Sequence, residues 1–224
     1  MPLHAQAWRE AARWARVPVT VREIYAWEGE PGLVTARRLL RRAGRAPTTA
    51  AASALLHEKE QRFSQSARRI RVDRETGAVV RALAARGVPM ALVTGTSSRE
   101  LARMLPRALR HVFRAVVTGD RVHRGKPHPE SYRTAFRALG LRPRGAVVVE
   151  NAPNGIRSAR RARAGLVIAL TSSLPARYLR EAHVIVPTAR KLRDELMRRL
   201  TLPQSDRYNT KVDGLRHPTH KERA

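Results

Sequence analysis

The sequence predicts an α/β protein in which a small helical domain precedes a parallel sheet flanked by helices. Three observations support this fold class. Residues 1–68 carry apolar side chains at helical spacing and show no alternation typical of a strand. Residues 69–202 alternate short apolar runs with amphipathic stretches, the pattern of a Rossmann-like sheet with right-handed crossovers. Residues 203–224 are polar and lack apolar periodicity, which predicts a disordered tail.

The first domain is predicted to contain four helical pieces. One face of the first piece collects the apolar side chains Leu3, Ala7, Ala11 and Trp14, and Val17-Pro18 ends it. The other three begin at Val21, Leu33 and Thr48, with the loop Glu28-Gly29-Glu30-Pro31-Gly32 between the second and the third. The glycines and the proline of that loop exclude a continuous helix there.

The second domain is predicted to alternate strands and helices. Each strand is a short apolar run that ends in small or polar residues, as buried parallel strands do. The predicted strands are Val88–Val93, Ala115–Val117, Ala146–Val149, Leu166–Leu170 and Val184–Val186, and the predicted helices are Thr76–Arg86, Ser98–Leu109, Pro129–Gly140 and Gly155–Ala164.

The composition is strongly basic, with a formal net charge of +27 from 45 Lys+Arg against 18 Asp+Glu. Only five of these cations are lysines, and arginine supplies the other 40. The arginines are spread over every helical stretch, and only 4% of residues are aromatic, which disfavours base-stacking platforms. We therefore expect nucleic acid to bind only non-specifically, through charge, at low salt.

The chain contains no cysteine, which excludes disulfides and thiolate metal sites. No apolar run approaches the roughly 20 residues that a membrane helix needs, and the N-terminus has no apolar signal core. These observations predict a soluble, cytoplasmic protein.

Two stretches place charged groups at the ends of predicted strands. In Gly125-Lys126-Pro127-His128-Pro129-Glu130, a lysine is held between a glycine and two prolines that restrict its backbone. A lysine here, in a chain that otherwise uses arginine, favours a site that needs a compact point charge. In the second stretch, Ala146–Val149 is followed by Glu150 and Asn151, whose oxygens suit Mg²⁺ either directly or through water. The plainer interpretations are chance placement of Lys126 and capping of the next helix by Glu150.

A third stretch is Thr94-Gly95-Thr96-Ser97-Ser98, between a predicted strand and a predicted helix. A hydroxyl, free backbone N–H groups and the start of a helix together hold phosphate in many proteins. The same residues also suit an ordinary turn with a helix N-cap. Because ligands bind at the carboxyl ends of parallel strands, we expect Thr94, Lys126 and Glu150 to converge on a phosphorylated ligand.

These three stretches, in this order, resemble the haloacid dehalogenase (HAD) superfamily, specifically its β-phosphoglucomutase-like phosphatases and mutases with a helical cap. Val93-Thr94-Gly95-Thr96 is similar to the second motif of that family, the Lys126 stretch to its third, and Val149-Glu150-Asn151-Ala152-Pro153-Asn154-Gly155-Ile156 to its fourth. The stretch from Met1 to Trp8 is similar to the start of the cap. The resemblance extends over roughly residues 1 to 200.

The resemblance implies Mg²⁺-dependent phosphoryl transfer through an aspartyl-phosphate, on a small phosphorylated substrate. Thr94 and Lys126 would be catalytic, and Thr94, Gly95, Thr96 and Lys126 would hold the transferring phosphate. Glu150 and Asn151 would support the metal; the family often has Asp at the second position, so Asn151 would weaken Mg²⁺ binding. His4, Glu28 and Gly29 match cap positions that close over substrate.

The sequence departs from the family at its first motif, an Asp-x-Asp-Gly at the tip of the first, central strand. The five aspartates are Asp73, Asp120, Asp194, Asp206 and Asp213, and none ends an apolar strand as such a pair. The expected consequences are a sheet without its first central strand and little or no turnover. Three interpretations are open: a start-site truncation of a longer enzyme, a degenerate relative that keeps phosphate binding, or an arginine-rich binding protein on the same fold. Substrate identity, phosphatase against mutase chemistry and oligomeric state are not determined by the sequence.

Overall fold

The computed structural model describes residues 2–67 and 73–201. The first of these ranges is all helical and forms the cap, which consists of α1 (Pro2–Trp14), α2 (Val21–Trp27), α3 (Gly32–Arg42) and α4 (Thr49–Ala67). The cap has its own apolar core, in which Trp8, Ile24, Leu39, Leu40 and Leu55 are buried. The predicted tail, residues 203–224, lies outside the described residues.

The second range folds as an α/β core. Its elements are α5 (Arg74–Ala84), β1 (Ala91–Val93), α6 (Ser98–Met104), α7 (Arg107–Arg110), β2 (Ala115–Val117), α8 (Glu130–Leu139), β3 (Val147–Glu150), α9 (Pro153–Arg161), β4 (Leu166–Leu170), β5 (Val184–Val186) and α10 (Ala189–Thr201). The fold class predicted from the sequence is confirmed.

Several predicted elements differ from the observed ones by one to three residues at their ends, and in two of them a proline explains the difference. The strand predicted from Val88 begins only at Ala91, because Pro89 has no N–H to give to a ladder. The helix predicted over Ser98–Leu109 is broken into α6 and α7. Leu105 takes an extended conformation (φ −79°, ψ 115°), since the following Pro106 disfavours helical geometry at that position.

The strands are parallel and form two separate sheets. One sheet pairs β1 with β2, with Val93 opposite Val117, and the other has the order β3-β4-β5. Within residues 2–67 and 73–201, no ladder joins β1 to β3, which is where the family resemblance would place a central strand. Val147 and Val149 of β3 are 39% and 42% exposed, as expected for an apolar strand with an unpaired edge.

Both faces of the larger sheet are covered by helices. Tyr132 and Phe136 of α8 and Ile156 of α9 pack on one face, and Leu192 and Leu196 of α10 pack on the other, together with Val79 of α5. The first four residues of β4 are buried, and alternate ones reach each face. No helix in the described part of the chain is long and apolar enough to cross a membrane.

Candidate active site

A buried cluster joins the carboxyl ends of β1 and β3. Lys126 Nζ lies 2.5 Å from Glu150 Oε1 and also donates a hydrogen bond of 3.3 Å to the backbone oxygen of Val93. Tyr132 Oη donates to the same Glu150 oxygen at 2.5 Å. The Lys126 and Glu150 side chains are each only 6% exposed. The structure therefore brings the predicted third and fourth motifs into direct contact.

The charges of this cluster are fixed by its contacts. Burial alone would raise the pKa of Glu150, but the Lys126 ammonium and the hydrogen bonds from Tyr132 and from the Asn151 N–H hold it below its ordinary value. Burial and the adjacent carboxylate raise the pKa of Tyr132 well above its ordinary value. Tyr132 is thus a neutral donor, Glu150 an anion and Lys126 its counter-ion.

The predicted phosphate loop follows β1. Thr94 N donates to Val117 O, and Thr94 Oγ1 accepts from Thr96 N at 3.1 Å, which curls the loop over its own hydroxyl. The N–H of Gly95 makes no hydrogen bond within the described residues, so it is an available donor. A Cβ on Gly119 would collide with the carbonyl of Gly95, so only glycine allows this close approach.

The cap contributes a loop directly to this site. Its segment Glu28–Gly32 lies between the phosphate loop and Lys126: a Cβ on Gly29 would be 3.5 Å from Lys126 Cδ, and a Cβ on Gly95 would be 3.2 Å from Gly29 O. Asn154 Nδ2, at the start of α9, donates to Ala26 O and ties the core to the end of α2. The expectation that Glu28 and Gly29 lie over the site agrees with this geometry.

A cavity of about 220 Å³ lies between the cap and the phosphate loop. The predicted residues Thr94, Gly95, Thr96, His4, Glu28 and Gly29 line it. The other predicted site residues, Lys126, Glu150 and Asn151, are not among the residues that line this cavity, so the expected convergence of all three motifs on one cavity is only partly met. Its walls also include the aromatic side chains of Trp8 and Trp27. A cavity of this size suits a small metabolite.

A second buried ion pair crosses from the cap to the core beside this cavity. Lys59 of α4 and Glu100 of α6 lie 2.9 Å apart, with side chains 6% and 9% exposed. The Lys59 ammonium also stands 4.8 Å from the ring centre of Phe63, on which His4 stacks at 4.0 Å. Burial and the neighbouring Lys59 lower the pKa of His4 well below its ordinary value, so His4 is neutral at pH 7.

The sequence patterns do not single out Lys59, Glu100 or Tyr132. A signal for Lys59 was present, because it is one of only five lysines in the chain, the same rarity that drew attention to Lys126. Glu100 and Tyr132 have no comparable sequence signal, because each lies within a helix whose apolar pattern is explained by packing against the core.

Glu150 and Asn151 do not by themselves make a magnesium site. Both oxygens of Glu150 are saturated: Oε1 by Lys126 and Tyr132, Oε2 by the N–H groups of Asn151 and Ala152 at 3.0 and 3.2 Å. Asn151 Nδ2 donates to Ser172 Oγ, which leaves one neutral oxygen. Among the residues that the structure describes, no group of three or more His, Asp or Glu could hold a metal ion. Because Mg²⁺ needs at least one available carboxylate oxygen and both oxygens of Glu150 are in use, these two residues do not fit it.

Comparison with known proteins identifies the family and agrees with the fold. Residues 1–163 match the family of haloacid dehalogenase-like hydrolases, and the chain belongs to that family. It is 43% identical over 79 residues to validoxylamine A 7'-phosphate phosphatase of Streptomyces hygroscopicus subsp. limoneus, which is 35% of this chain and 36% of that relative. The matched part of the chain spans only 33–40% of the length of this relative and of two further curated phosphatases.

Solved structures share the fold over nearly the whole chain. A hydrolase from Pseudomonas syringae superposes with a TM-score of 0.79 at 22% identity, covering 88% of this chain and 91% of that one. A putative β-phosphoglucomutase from Bacteroides vulgatus gives 0.76 at 24% identity, covering 93% and 84%. At these identities the likeness establishes the fold alone.

Proposed function

We propose that this chain binds the phosphoryl group of a small phosphorylated metabolite, in a site of the phosphatase and phosphomutase type. The observation that carries the proposal is the position of Lys126, a buried ammonium at the strand ends within contact of the cap loop and next to the phosphate loop. The free N–H of Gly95 and the hydroxyls of Thr94 and Thr96 supply neutral donors nearby. Relatives named for phosphatases of hexitol, fructose 1-phosphate and other phosphorylated carbohydrates support this substrate size.

In this proposal the residues of the chain have distinct tasks. Lys126 supplies positive charge to the phosphoryl oxygens, and Glu150 with Tyr132 fixes the position of its ammonium. Thr94 and the Gly95 N–H orient the phosphate. The cap loop at Glu28–Gly32 excludes water from the site. Magnesium dependence is an expectation from the family resemblance, and no step here passes through the metal.

No carboxylate of the described residues is placed as the nucleophile of an aspartyl-phosphate. Asp120 lines the cavity, but its Oδ1 accepts hydrogen bonds of 3.0 Å from both the N–H and the hydroxyl of Ser98, the role of a structural cap. We therefore propose that the 224-residue chain binds phosphate and has little or no turnover. Phosphatase activity of this chain with Mg²⁺, well above that of Lys126→Ala, would contradict the second half of this statement.

Phosphate binding is tested by titration calorimetry with inorganic phosphate. The salt concentration should be about 0.3 M, so that the charge of the whole protein is screened. We expect Lys126→Met and Thr94→Val to weaken binding by about tenfold or more each. The matched control is Lys191→Met, which removes the same charge from an exposed position on α10. Equal losses in Lys126→Met and Lys191→Met would show that the anion binds to general surface charge, and would overturn the proposal.

A further inference from the structure

The wall of the cavity has a charge opposite to that of the protein. Among the described residues that line it, five carry carboxylates and only one carries a lysine or arginine side chain. The carboxylates are Glu28, Glu30, Glu60, Glu100 and Asp120, and the cation is Lys59. Lys59 is already paired with Glu100. In a chain of net charge +27, this concentration of acidic groups is not a consequence of composition.

Two of these carboxylates, on the cap loop, are left with unused hydrogen-bonding capacity. Glu30 has a side chain only 9% exposed, and Oε1 accepts from Arg38 at 2.7 Å, but Oε2 is buried with no partner in the described structure. The side chain of Glu28 forms no hydrogen bond or ion pair with any described residue. A buried carboxylate oxygen without a donor is costly, so Glu30 favours a ligand that brings a donor, and the unpaired carboxylate of Glu28 can accept from the same ligand.

The electrostatics of the two groups agree with this. Burial raises the pKa of Glu28, although Lys59 and Lys126 partly offset that effect. Burial likewise raises the pKa of Glu30, against the opposing influence of Arg38. Both carboxylates are therefore short of stabilising positive charge or donors, and a second anion next to them would be repelled.

The position of the loop determines which part of a ligand meets these groups. The backbone oxygens of Gly29 and Glu30 lie close to Gly95 of the phosphate loop. The expected phosphate position and the carboxylates of the cap loop therefore line neighbouring parts of the cavity. A phosphate held at Thr94 and Gly95 would direct the rest of a small ligand along the wall that carries Glu28, Glu30 and Trp27.

We propose that Glu28 and Glu30 determine substrate specificity, and that they select a phosphate monoester whose other end carries hydrogen-bond donors and no negative charge. Hydroxyl groups and an ammonium group share this chemistry. Phosphate esters that end in a carboxylate or a second phosphate are excluded. The inference rests on the proposed function, because it requires the phosphate to lie at the Thr94 loop.

The test compares four ligands by calorimetry at one salt concentration: inorganic phosphate, sorbitol 6-phosphate, glucosamine 6-phosphate and 2-phosphoglycolate. We expect the polyol and amino-sugar esters to bind more tightly than phosphate, and phosphoglycolate to bind at least about tenfold more weakly than the polyol ester. Tighter binding of the amino sugar than of the polyol would identify an ammonium as the preferred donor; equal binding would identify hydroxyls.

The variant is Glu28→Gln, which keeps the shape of a side chain that has no partner to lose. We expect it to reduce the discrimination against phosphoglycolate by about fivefold or more. Glu181→Gln, which removes the same charge from an exposed pair outside the cavity, should leave it unchanged. Phosphoglycolate binding as tight as the polyol ester, or an unchanged ratio in Glu28→Gln, would overturn the specificity proposal while leaving phosphate binding intact. Failure of all four ligands would overturn the proposed function and this inference with it.

Discussion

Lys126 and Glu150 form an ion pair, with 2.5 Å between Nζ and Oε1, that connects strands belonging to two separate sheets. Glu150 ends β3, and the Lys126 ammonium reaches the last carbonyl of β1. Since no backbone ladder joins these strands in the described structure, this side-chain contact helps to hold the two halves of the core together.

We expect Lys126→Met to lower the free energy of unfolding by about 3–5 kcal/mol, because it leaves the buried Glu150 carboxylate unpaired. Lys126→Met/Glu150→Gln should cost less than the sum of the two single variants, since it removes both charges. Urea unfolding of the four proteins measures the coupling. Strict additivity would mean that the pair does not stabilise the fold.

The same pair should make stability depend on acid. The pKa of Glu150 is lower in the folded protein than its ordinary value of 4.5. Its contribution is therefore present above pH 4.5 and is lost as the pH falls through the folded pKa. The stability advantage of the wild type over Lys126→Met/Glu150→Gln should shrink between pH 6 and about pH 3. An advantage that grows on acidification would contradict the assigned ionic states.

The buried ion pair between Lys59 of the cap and Glu100 of the core should also stabilise the fold. Lys59→Met is expected to cost about 3–5 kcal/mol, because the side chain of Glu100 is only 9% exposed and would lose its counter-ion. Arg157→Met, in a pair whose side chains are 44% and 51% exposed, is the control and should cost less than about 1 kcal/mol. Urea unfolding measures both values. Similar losses of free energy of unfolding in the two variants would show that the Lys59–Glu100 pair stabilises the fold no more than an exposed pair does.

Asn151→Asp should create a cation site, which the donors of the wild type do not form. The substitution replaces the free amide oxygen at the end of β3 by a carboxylate, the ligand type that Mg²⁺ prefers. We expect Mn²⁺, followed by electron paramagnetic resonance as a probe for Mg²⁺, to bind at least about tenfold more tightly to Asn151→Asp than to the wild type. Gln65→Glu, which adds the same charge at an exposed position of α4, serves as a control for general charge. Equal Mn²⁺ binding by wild type and variant would show that position 151 does not face a cation.

The contact between Gly95 and Gly119 offers a test of the phosphate loop. A Cβ at Gly119 would overlap the Gly95 carbonyl, so Gly119→Ala must move the loop. We expect this variant to bind phosphate about tenfold more weakly and to lose about 1–3 kcal/mol of its free energy of unfolding. Gly140→Ala is the control: at φ +68° with no atom within 4 Å, it should cost about 1–2 kcal/mol and leave phosphate affinity unchanged. Retained affinity in Gly119→Ala would exclude this loop as the phosphate site.

The order of elements and the three strand-end motifs could be predicted from the sequence, because they depend on local periodicity and on turn chemistry. The apolar run before Glu150 predicts its position at a strand end, as observed. Lys126 lies instead on the loop between β2 and α8, and only its ammonium reaches the end of β1, where it contacts Glu150. The element bounds at Ala91 and Leu105 were less accurate, although the prolines responsible are visible in the sequence.

The tertiary structure alone decided which side chains meet across the cap and the core. The pairing of Lys59 with Glu100 spans 41 residues, and no local pattern encodes it. The saturation of Glu150 by Tyr132 and by two backbone N–H groups likewise depends on how α8 packs against β3, and it changes a predicted metal ligand into the partner of a lysine. The unpaired oxygen of Glu30 could not be foreseen either, because burial is a property of the surroundings and not of the residue. Periodicity and turn residues thus determined the strand ends, whereas the acidic lining of the cavity and the pairing of its side chains arise from contacts between distant segments.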